Sequence, residues 1–345
     1  MDLENNKPRI SILMPVFNEE KYIFESVNGI LQQSYKKFEL IIINDASSDN
    51  TLSILSDFND KRIRIFSNLD HLGITKSLNI GLEKCRGNFI ARMDADDICT
   101  TDRLALQYNY LIENPNIDVV GCNAVSISEN GELTERARLP SKDKKIKWQL
   151  LFSTPILHPT VMIRSKVFIQ FGVYNSVLSV AQDFDLWCRI SSHVHFHNLP
   201  QVLYKLRIHS NSGSNIHKEA QEQNREKILL NHIKKLTKKN YRQSDIKIFY
   251  SFRAKKYFHY NQFRVAVKIL KELKEAFLKN IDNSQSYENY LNRSIAWLFL
   301  QPAFSVKRSH IISIICIIRA LYFDFKLLYD RVFFKYLKQR FNHQV

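Results

Sequence analysis

The sequence predicts an α/β fold, a mainly parallel central sheet followed by a helical C-terminal region, and three observations carry that prediction. Over the first 130 residues, short β-rich runs alternate with helical patterns, which is how successive βαβ units read. From about residue 215 the pattern is wholly helical, with Pro302 as its one proline and no glycine. The net charge of +16 divides at the same place. Residues 1–216 hold 24 Lys+Arg against 24 Asp+Glu, and residues 217–345 hold 26 against 10, a difference of 16. A chain of 345 residues, 45% of them hydrophobic, can bury the cores of about two domains. The expected domains are 1–215 and 216–345.

The elements follow in order. Arg9–Val16 reads as a buried strand ending around Pro15, and Asn18, Glu19 and Glu20 follow as a cap with acidic first-turn residues. Ile23, Val27, Ile30 and Leu31 then recur at helical spacing. The second cycle is a strand over Phe38–Asn44, a polar turn DASSDN, and a helix carrying Leu52, Ile54, Leu55 and Phe58. The third is a strand over Ile63–Phe66, a turn at Gly73 and a helix over Thr75–Cys85. A strand over Phe89–Met93 runs directly into Asp94, Ala95, Asp96 and Asp97. In open α/β sheets ligands bind beyond the carboxyl ends of the strands. Asn18, Asp45 and Asp94–Asp97 all fall at such ends, so distant segments are expected to meet on one rim. Beyond residue 130 the alternation weakens, through a charged stretch Ser141–Lys147 and then HPTVMIR and AQDFDLWCRI.

The acidic run carries the first chemistry. Two carboxylates one residue apart at the end of a buried strand make an oxygen site for Mg2+ or Mn2+, ions held by one or two carboxylates together with phosphate oxygens. The bland alternative is a solvated turn or a helix cap. Asp45 has the same ambiguity: a carboxylate at a strand end accepts hydrogen bonds from a ribose hydroxyl or a base N–H, or simply forms the turn. Asp49 reads as the cap of the following helix.

Four segments taken together resemble the family 2 glycosyltransferases, whose catalytic domain has the GT-A fold: residues 10–51 (ISILMPVF to SSDNT), GITKSLNIGLEKCRGNFIARMDADD, HPTVMIR and AQDFDLWCRI. The resemblance covers roughly residues 9–215. It implies transfer of a sugar, of hexosyl type, from a nucleotide-diphosphate donor to an acceptor hydroxyl, with UDP as the favoured carrier. By the same resemblance Pro15, Phe17 and Glu19 line the nucleotide pocket, with Phe17 at the base, and Asp45 contacts the nucleoside. Asp94 and Asp96 hold ribose and metal-bound diphosphate, Asp96 being the direct metal ligand. Arg92 reaches phosphate or pairs with Asp97. RIHSNSGS, from Arg207 to Ser214, matches a segment that supplies a late metal or phosphate contact, which makes His209 a metal candidate beside Asp94 and Asp96. Asp183 falls on the position of the base that deprotonates the acceptor, with Asp185 as its rival. Where the family has an acidic pair this chain has Gln182, which removes one source of like-charge repulsion on Asp183. His158 either shapes the acceptor pocket or is structural. One displacement at the anomeric carbon inverts its configuration. A GT-A-like module that binds nucleotide sugar or glycan without turnover is the alternative reading.

Composition narrows the setting. Cys85, Cys99, Cys122, Cys188 and Cys316 are odd in number and scattered, which argues against a disulfide framework or a zinc site. The first residues carry acidic groups where a signal peptide needs basic ones, so the expectation is a cytoplasmic protein. The basic, aromatic-rich C-terminal region has no charge-free run of the roughly 18 residues expected of a spanning helix. Its helices either lie on an anionic membrane surface, which suits a lipid-linked acceptor in bacterial surface polysaccharide assembly, or form a solvated basic face. No nucleic-acid motif accompanies the charge, so nucleic acid is not the expected partner.

Overall fold

The computed structural model describes residues 9–209, 218–253, 260–280, 284–303 and 310–324. Strands β1 (Ile10–Val16) and β2 (Phe38–Asn44) are buried along their whole length except at Pro15. Burial on both faces is why they read as continuous apolar runs and not as alternation. β1 pairs in parallel with β2 and with β4 (Phe89–Arg92), and β2 pairs in parallel with β3 (Ile63–Ser67). Helices α1 (Ile23–Leu31), α2 (Thr51–Ser56) and α3 (Ile74–Lys84) make the crossovers. α1 buries Ile23, Ser26, Val27 and Ile30, the i, i+3, i+4, i+7 stripe that packs a helix on a sheet. α3 starts at Gly73, whose φ of 85° is a conformation that side chains with a Cβ rarely adopt.

Beyond β4 the sheet becomes mixed. Its later strands are β5 (Ile98–Cys99), β6 (Val119–Ile127), β7 (Leu133–Ala137), β8 (Met162–Arg164) and β9 (Phe196–Arg207). The order is β3-β2-β1-β4-β8-β6-β9-β5, with β7 on β6. β8 runs antiparallel to β4 and β6, while β6 and β9 are parallel with register shifts around Asn123. The chain moves outward from β1 in one direction to β2 and β3 and in the other to β4. A crevice therefore opens beyond the carboxyl ends of β1, β2 and β4, the usual ligand position in such sheets. The pairing Val16↔Asn44 brings the first two of these ends level.

Helices α4 (Arg103–Glu113), α5 (Asp143–Gln149), α6 (Ser165–Phe171) and α7 (Gln182–Ile190) complete the layers around the sheet. The chain divides into two compact units, Met1–Arg225 and Glu226–Val345. The boundary expected near residue 215 lies outside the described residues, and the division falls within α8 (Lys218–Thr237). The second unit contains the rest of α8 with α9 (Gln243–Arg253), α10 (Tyr260–Lys279), α11 (Ser284–Ala303) and α12 (His310–Phe323). α10 buries Phe263, Ala266, Ile269, Leu270, Leu273 and Phe277, a helical stripe that forms the centre of that unit's core. Among the described residues no helix is long and apolar enough to cross a membrane.

Candidate functional site

At the end of β2, both oxygens of buried Asp45 are engaged. Oδ1 accepts hydrogen bonds from Leu72 N–H (3.0 Å) and Asn68 Nδ2 (2.6 Å), and Oδ2 accepts one from Gly73 N–H (2.8 Å). His71 Nδ1 stands 3.0 Å from Oδ2. Burial alone would raise this carboxyl, but the bonds from Leu72, Asn68, Gly73 and Ser77 hold it below its ordinary value. Asp45 thus ties the β3–α3 loop and the start of α3 to the end of β2. The same loop sets His71 against Phe17, with ring centroids 3.9 Å apart and planes at 33°. Phe17 is 40% exposed at the end of β1 and offers an aromatic surface to a ligand. Pro15 lies half-buried within β1, opposite Ile43.

Backbone strain gathers on this rim. Among the described non-glycine residues, Asn18, Ala46, Ala181 and Lys238 have positive φ, and the first three flank Phe17, Asp45 and α7. Each left-handed non-glycine residue costs roughly 1–2 kcal/mol, and such residues persist where surrounding bonds hold them. Here Asn18 N–H donates to Ser47 Oγ (3.0 Å) and Asn18 Oδ1 accepts from Ser48 N–H (2.8 Å), locking the ends of β1 and β2 together. Asp49 accepts from Thr51 N–H and Glu20 N–H, both at 3.0 Å, at the start of α2.

The acidic run follows β4. Arg92 is buried and its Nη1 pairs with Asp94 Oδ1, not with Asp97. Asp96 is half-buried and its Oδ2 lies 3.0 Å from His209 Nε2. Asp97 is buried, with Oδ1 accepting from Arg207 N–H at 2.7 Å and its carbonyl accepting from Ser26 Oγ at 2.7 Å. Asp97 therefore pins β9 and α1 beneath the run. Tyr204 of β9 accepts a hydrogen bond from Asp94 N–H at 3.1 Å. Burial first, and then the charges of Asp94 and its neighbours, push Asp96 up and Asp97 well up. Glu19 is pushed up to about 8 by burial and then by Asp96, Asp94 and Asp49.

Two groups of ligand atoms each lie within 4.8 Å of one another: Glu19, Asp96 and His209, and Asp94, Asp96 and Asp97. Asp96 belongs to both. Two carboxylates and an imidazole suit Mn2+, and the carboxylates alone suit Mg2+. Burial, and after it the charges these carboxyls exert on one another, raise Glu19, Asp96 and Asp97, and a cation bound among them would offset both. These residues fit a divalent ion.

Asp183 stands apart in the first turn of α7. Part of its side chain meets solvent although most of its surroundings are protein, and this burial raises its carboxyl, with Arg225 and then Arg92 pulling it back. Asp185 is bound to Arg189 Nε at 2.9 Å, and Arg189 also donates to the carbonyls of Phe171 (2.8 Å) and Val173 (2.7 Å). Among the described residues Asp183 forms no ion pair. The loop before α7 is fastened to α3: Thr75 Oγ1 donates to Leu178 O (2.6 Å), and Asn79 exchanges bonds of 2.9 and 3.1 Å with Tyr174. A continuous path of bonds thus runs from Asp45 through Gly73 and α3 to the segment that presents Asp183. His158 is buried, 2.8 Å from Tyr174 Oη, and burial with the nearby Arg92 charge keeps it well below its ordinary pKa. It buttresses Tyr174.

Three contributors escape sequence reading, His71, Tyr204 and Arg225, and Arg207 enters it only as the first residue of RIHSNSGS, with no role of its own. Arg207 joins Glu25 (2.7 Å), Glu129 O (2.9 Å) and the Tyr22 ring (4.6 Å) behind the acidic run. Residues 210–214 of the predicted RIHSNSGS contact lie outside the described residues.

The Glycosyl transferase family 2 pattern matches residues 11–171. An uncharacterized glycosyltransferase of Haemophilus influenzae is 34% identical over 237 residues, 65% of this chain and 72% of the relative. The chain belongs to the family 2 glycosyltransferases. The O-antigen biosynthesis glycosyltransferase WbnJ of Escherichia coli is also 34% identical, over 59% of this chain and 81% of that one. Among solved structures, Staphylococcus aureus TarS 1–349 in complex with UDP-GlcNAc aligns with a TM-score of 0.57 at 16% identity, covering 93% of this chain and 92% of that one. The mannosyltransferase PcManGT of Pyrobaculum calidifontis, in complex with GDP-Man and Mn2+, aligns at 0.52 and 16% identity over 94% and 88%. This glycosyltransferase shares their GT-A fold.

Proposed function

We propose that the chain is an inverting, metal-dependent hexosyltransferase that takes its sugar from a nucleotide-diphosphate donor, UDP-sugar by preference, and delivers it to the hydroxyl of a glycan or lipid-linked acceptor. The observation that carries this reading is the division of carboxylates: Glu19, Asp94 and Asp96 gather with His209 at the β4 end, while Asp183 stands alone on α7 with its neighbour Asp185 occupied by Arg189. One group suits a divalent cation that would carry the diphosphate, and the other a proton transfer. The UDP-GlcNAc and GDP-Man complexes of the fold neighbours support a nucleotide-sugar donor, and the O-antigen biosynthesis role in the name of WbnJ supports a surface-polysaccharide setting.

Phe17 and His71 offer a stacking surface for the base, and Asp45 fixes the loop on which His71 stands. Asp96, with His209 and Glu19, would hold Mg2+ or Mn2+, whose charge when bound offsets the negative charge that grows on the departing diphosphate. Arg92 holds Asp94 in place and adds positive potential between the two carboxylate groups. Asp183, raised by burial, takes the proton from the attacking hydroxyl. α3 keeps both ends aligned, which is where most of the rate gain from fixed orientation would arise. A single displacement inverts the anomeric carbon. The setting proposed is the inner face of the cell membrane, with the second unit on its anionic surface.

The test is a panel of nucleotide sugars screened for a rise in melting temperature with Mg2+ or Mn2+, followed by proton NMR of the product formed from the responding donor. A donor that stabilises at 100 times its Kd adds about 2.7 kcal/mol. Stabilisation by none of the panel, or a product that retains the anomeric configuration, overturns the reading.

A further inference from the structure

The second unit carries a groove of about 440 Å³ lined by Lys239, Phe263, Arg264, Val267, Lys268, Lys271, Glu272, Glu275 and Arg319. No residue of the cleft described above takes part in it. Its charge is uneven. Arg264, Lys268 and Lys271 are exposed at i, i+4 and i+7 of α10, so they share one face of one helix. Like charges so aligned repel one another, and Arg319 of α12 and Lys239 of the α8–α9 turn add two more cations. One of the two carboxylates is already engaged, since Glu272 accepts from Lys239 Nζ (2.9 Å) and from Tyr241 Oη (2.8 Å). The floor includes Phe263 and Val267.

The rim decides what kind of anion fits. Beside Arg319, α12 exposes Ile318 and Tyr322, at 59% and 70%, and the Tyr322 ring lies 5.9 Å from Lys271 Nζ. An aliphatic and an aromatic side chain exposed to solvent next to a cation-lined groove is the composition of a surface that meets a bilayer at headgroup level, with apolar groups at the acyl boundary and Lys or Arg on phosphate. We propose that this groove is a binding site for the phosphate of an anionic phospholipid headgroup, seated by Arg264, Lys268, Lys271 and Arg319, with Ile318 and Tyr322 entering the interface beside it. The inference rests on the reading of the second unit as membrane-facing and is independent of the chemistry in the cleft.

Co-sedimentation of the full chain with vesicles of phosphatidylglycerol or phosphatidylcholine tests it. The variant R264Q/K268Q/K271Q alters only exposed side chains, and K235Q/K247Q/K279Q removes the same charge from exposed positions outside the groove. The melting temperature of each variant checks its fold. Three correctly placed cations give a loss on the order of 100-fold in the groove variant, against less than about tenfold in the control variant. The unaltered chain is expected to bind phosphatidylglycerol far better than phosphatidylcholine. Equal losses in the two variants would show diffuse attraction and no site, while leaving the membrane-facing reading intact. Absence of binding to either vesicle overturns that reading and the site with it. Displacement from phosphatidylglycerol by millimolar inorganic pyrophosphate alone would point to a soluble phosphate ester. Loss of single-stranded oligonucleotide binding in the groove variant with unchanged vesicle binding would assign the groove to nucleic acid. Either result contradicts the proposal.

Discussion

Replacing Asp183 by Asn removes a proton acceptor while keeping its shape, and the structure sets the scale of the expected effect. The other carboxylate of α7 is Asp185, but its pair with Arg189 belongs to a set of bonds that also holds the carbonyls of Phe171 and Val173. It is not free to substitute. Transfer by Asp183→Asn should therefore fall by the full contribution of a general base, about 10² to 10⁴-fold, or roughly 2.7–5.5 kcal/mol of barrier. Donor affinity should stay within about twofold, because none of the donor-side groups lies on α7: they stand at the ends of β1, β2 and β4, in the β3–α3 loop and just after β9. The fold should be at least as stable, since burial disfavours the charged form of Asp183 in the native state. The comparison variant, Asp185→Asn, should lose about 1 kcal/mol of stability and keep its transfer rate within about tenfold. Initial rates of donor consumption with acceptor, calorimetric donor affinity and thermal melts supply the readouts. Normal transfer by Asp183→Asn with an inactive Asp185→Asn would refute the assignment of the base.

Asp96→Ala should abolish the metal-dependent part of donor binding, read as donor affinity across a Mn2+ titration, because Asp96 is common to both ligand groups. Asp45→Asn should cost about 1–3 kcal/mol by leaving backbone N–H groups of Leu72 and Gly73 poorly paired, and should weaken phosphate-free nucleoside and full donor alike in calorimetry. Glu19, at about 8 in the folded state against 4.5 ordinarily, keeps a proton that the unfolded chain has lost. Metal-free stability should therefore fall as pH rises from about 4.5 to 8, and Glu19→Gln should flatten that slope in melts taken across the window. Arg225→Gln removes a charge that pulls the Asp183 carboxyl down, so the acid limb of kcat/KM against pH should move to higher pH.

The first four strands and the three crossover helices were legible because burial on both faces leaves an unmistakable apolar run and α1 repeats its stripe at helical spacing. The rim residues were legible for the same reason, since a strand end followed by Asp or Asn marks its own place in the sheet. β9 was not legible. It carries Pro200 and pairs with β6 through register shifts, so its pattern lacks the steady alternation of a strand. With β9 unread, Tyr204 and Arg207 had no place beneath the acidic run. Asp45 was found as a strand-end carboxylate, but its bonds to Asn68, Leu72 and Gly73 depend on how the β3–α3 loop folds back, which local pattern does not encode. Arg225 lay beyond the expected boundary at 215, yet it belongs to the first unit, where its guanidinium lies 5.8 Å from the Phe184 ring.

Anomalous scattering at the manganese edge, from crystals grown with the responding nucleoside diphosphate and Mn2+, tests the central claim most directly. The account predicts one manganese peak bonded to Asp96, shared with the diphosphate, and the base against Phe17 and His71. A manganese peak away from Asp96, or a nucleotide bound outside the crevice at the ends of β1, β2 and β4, would contradict it.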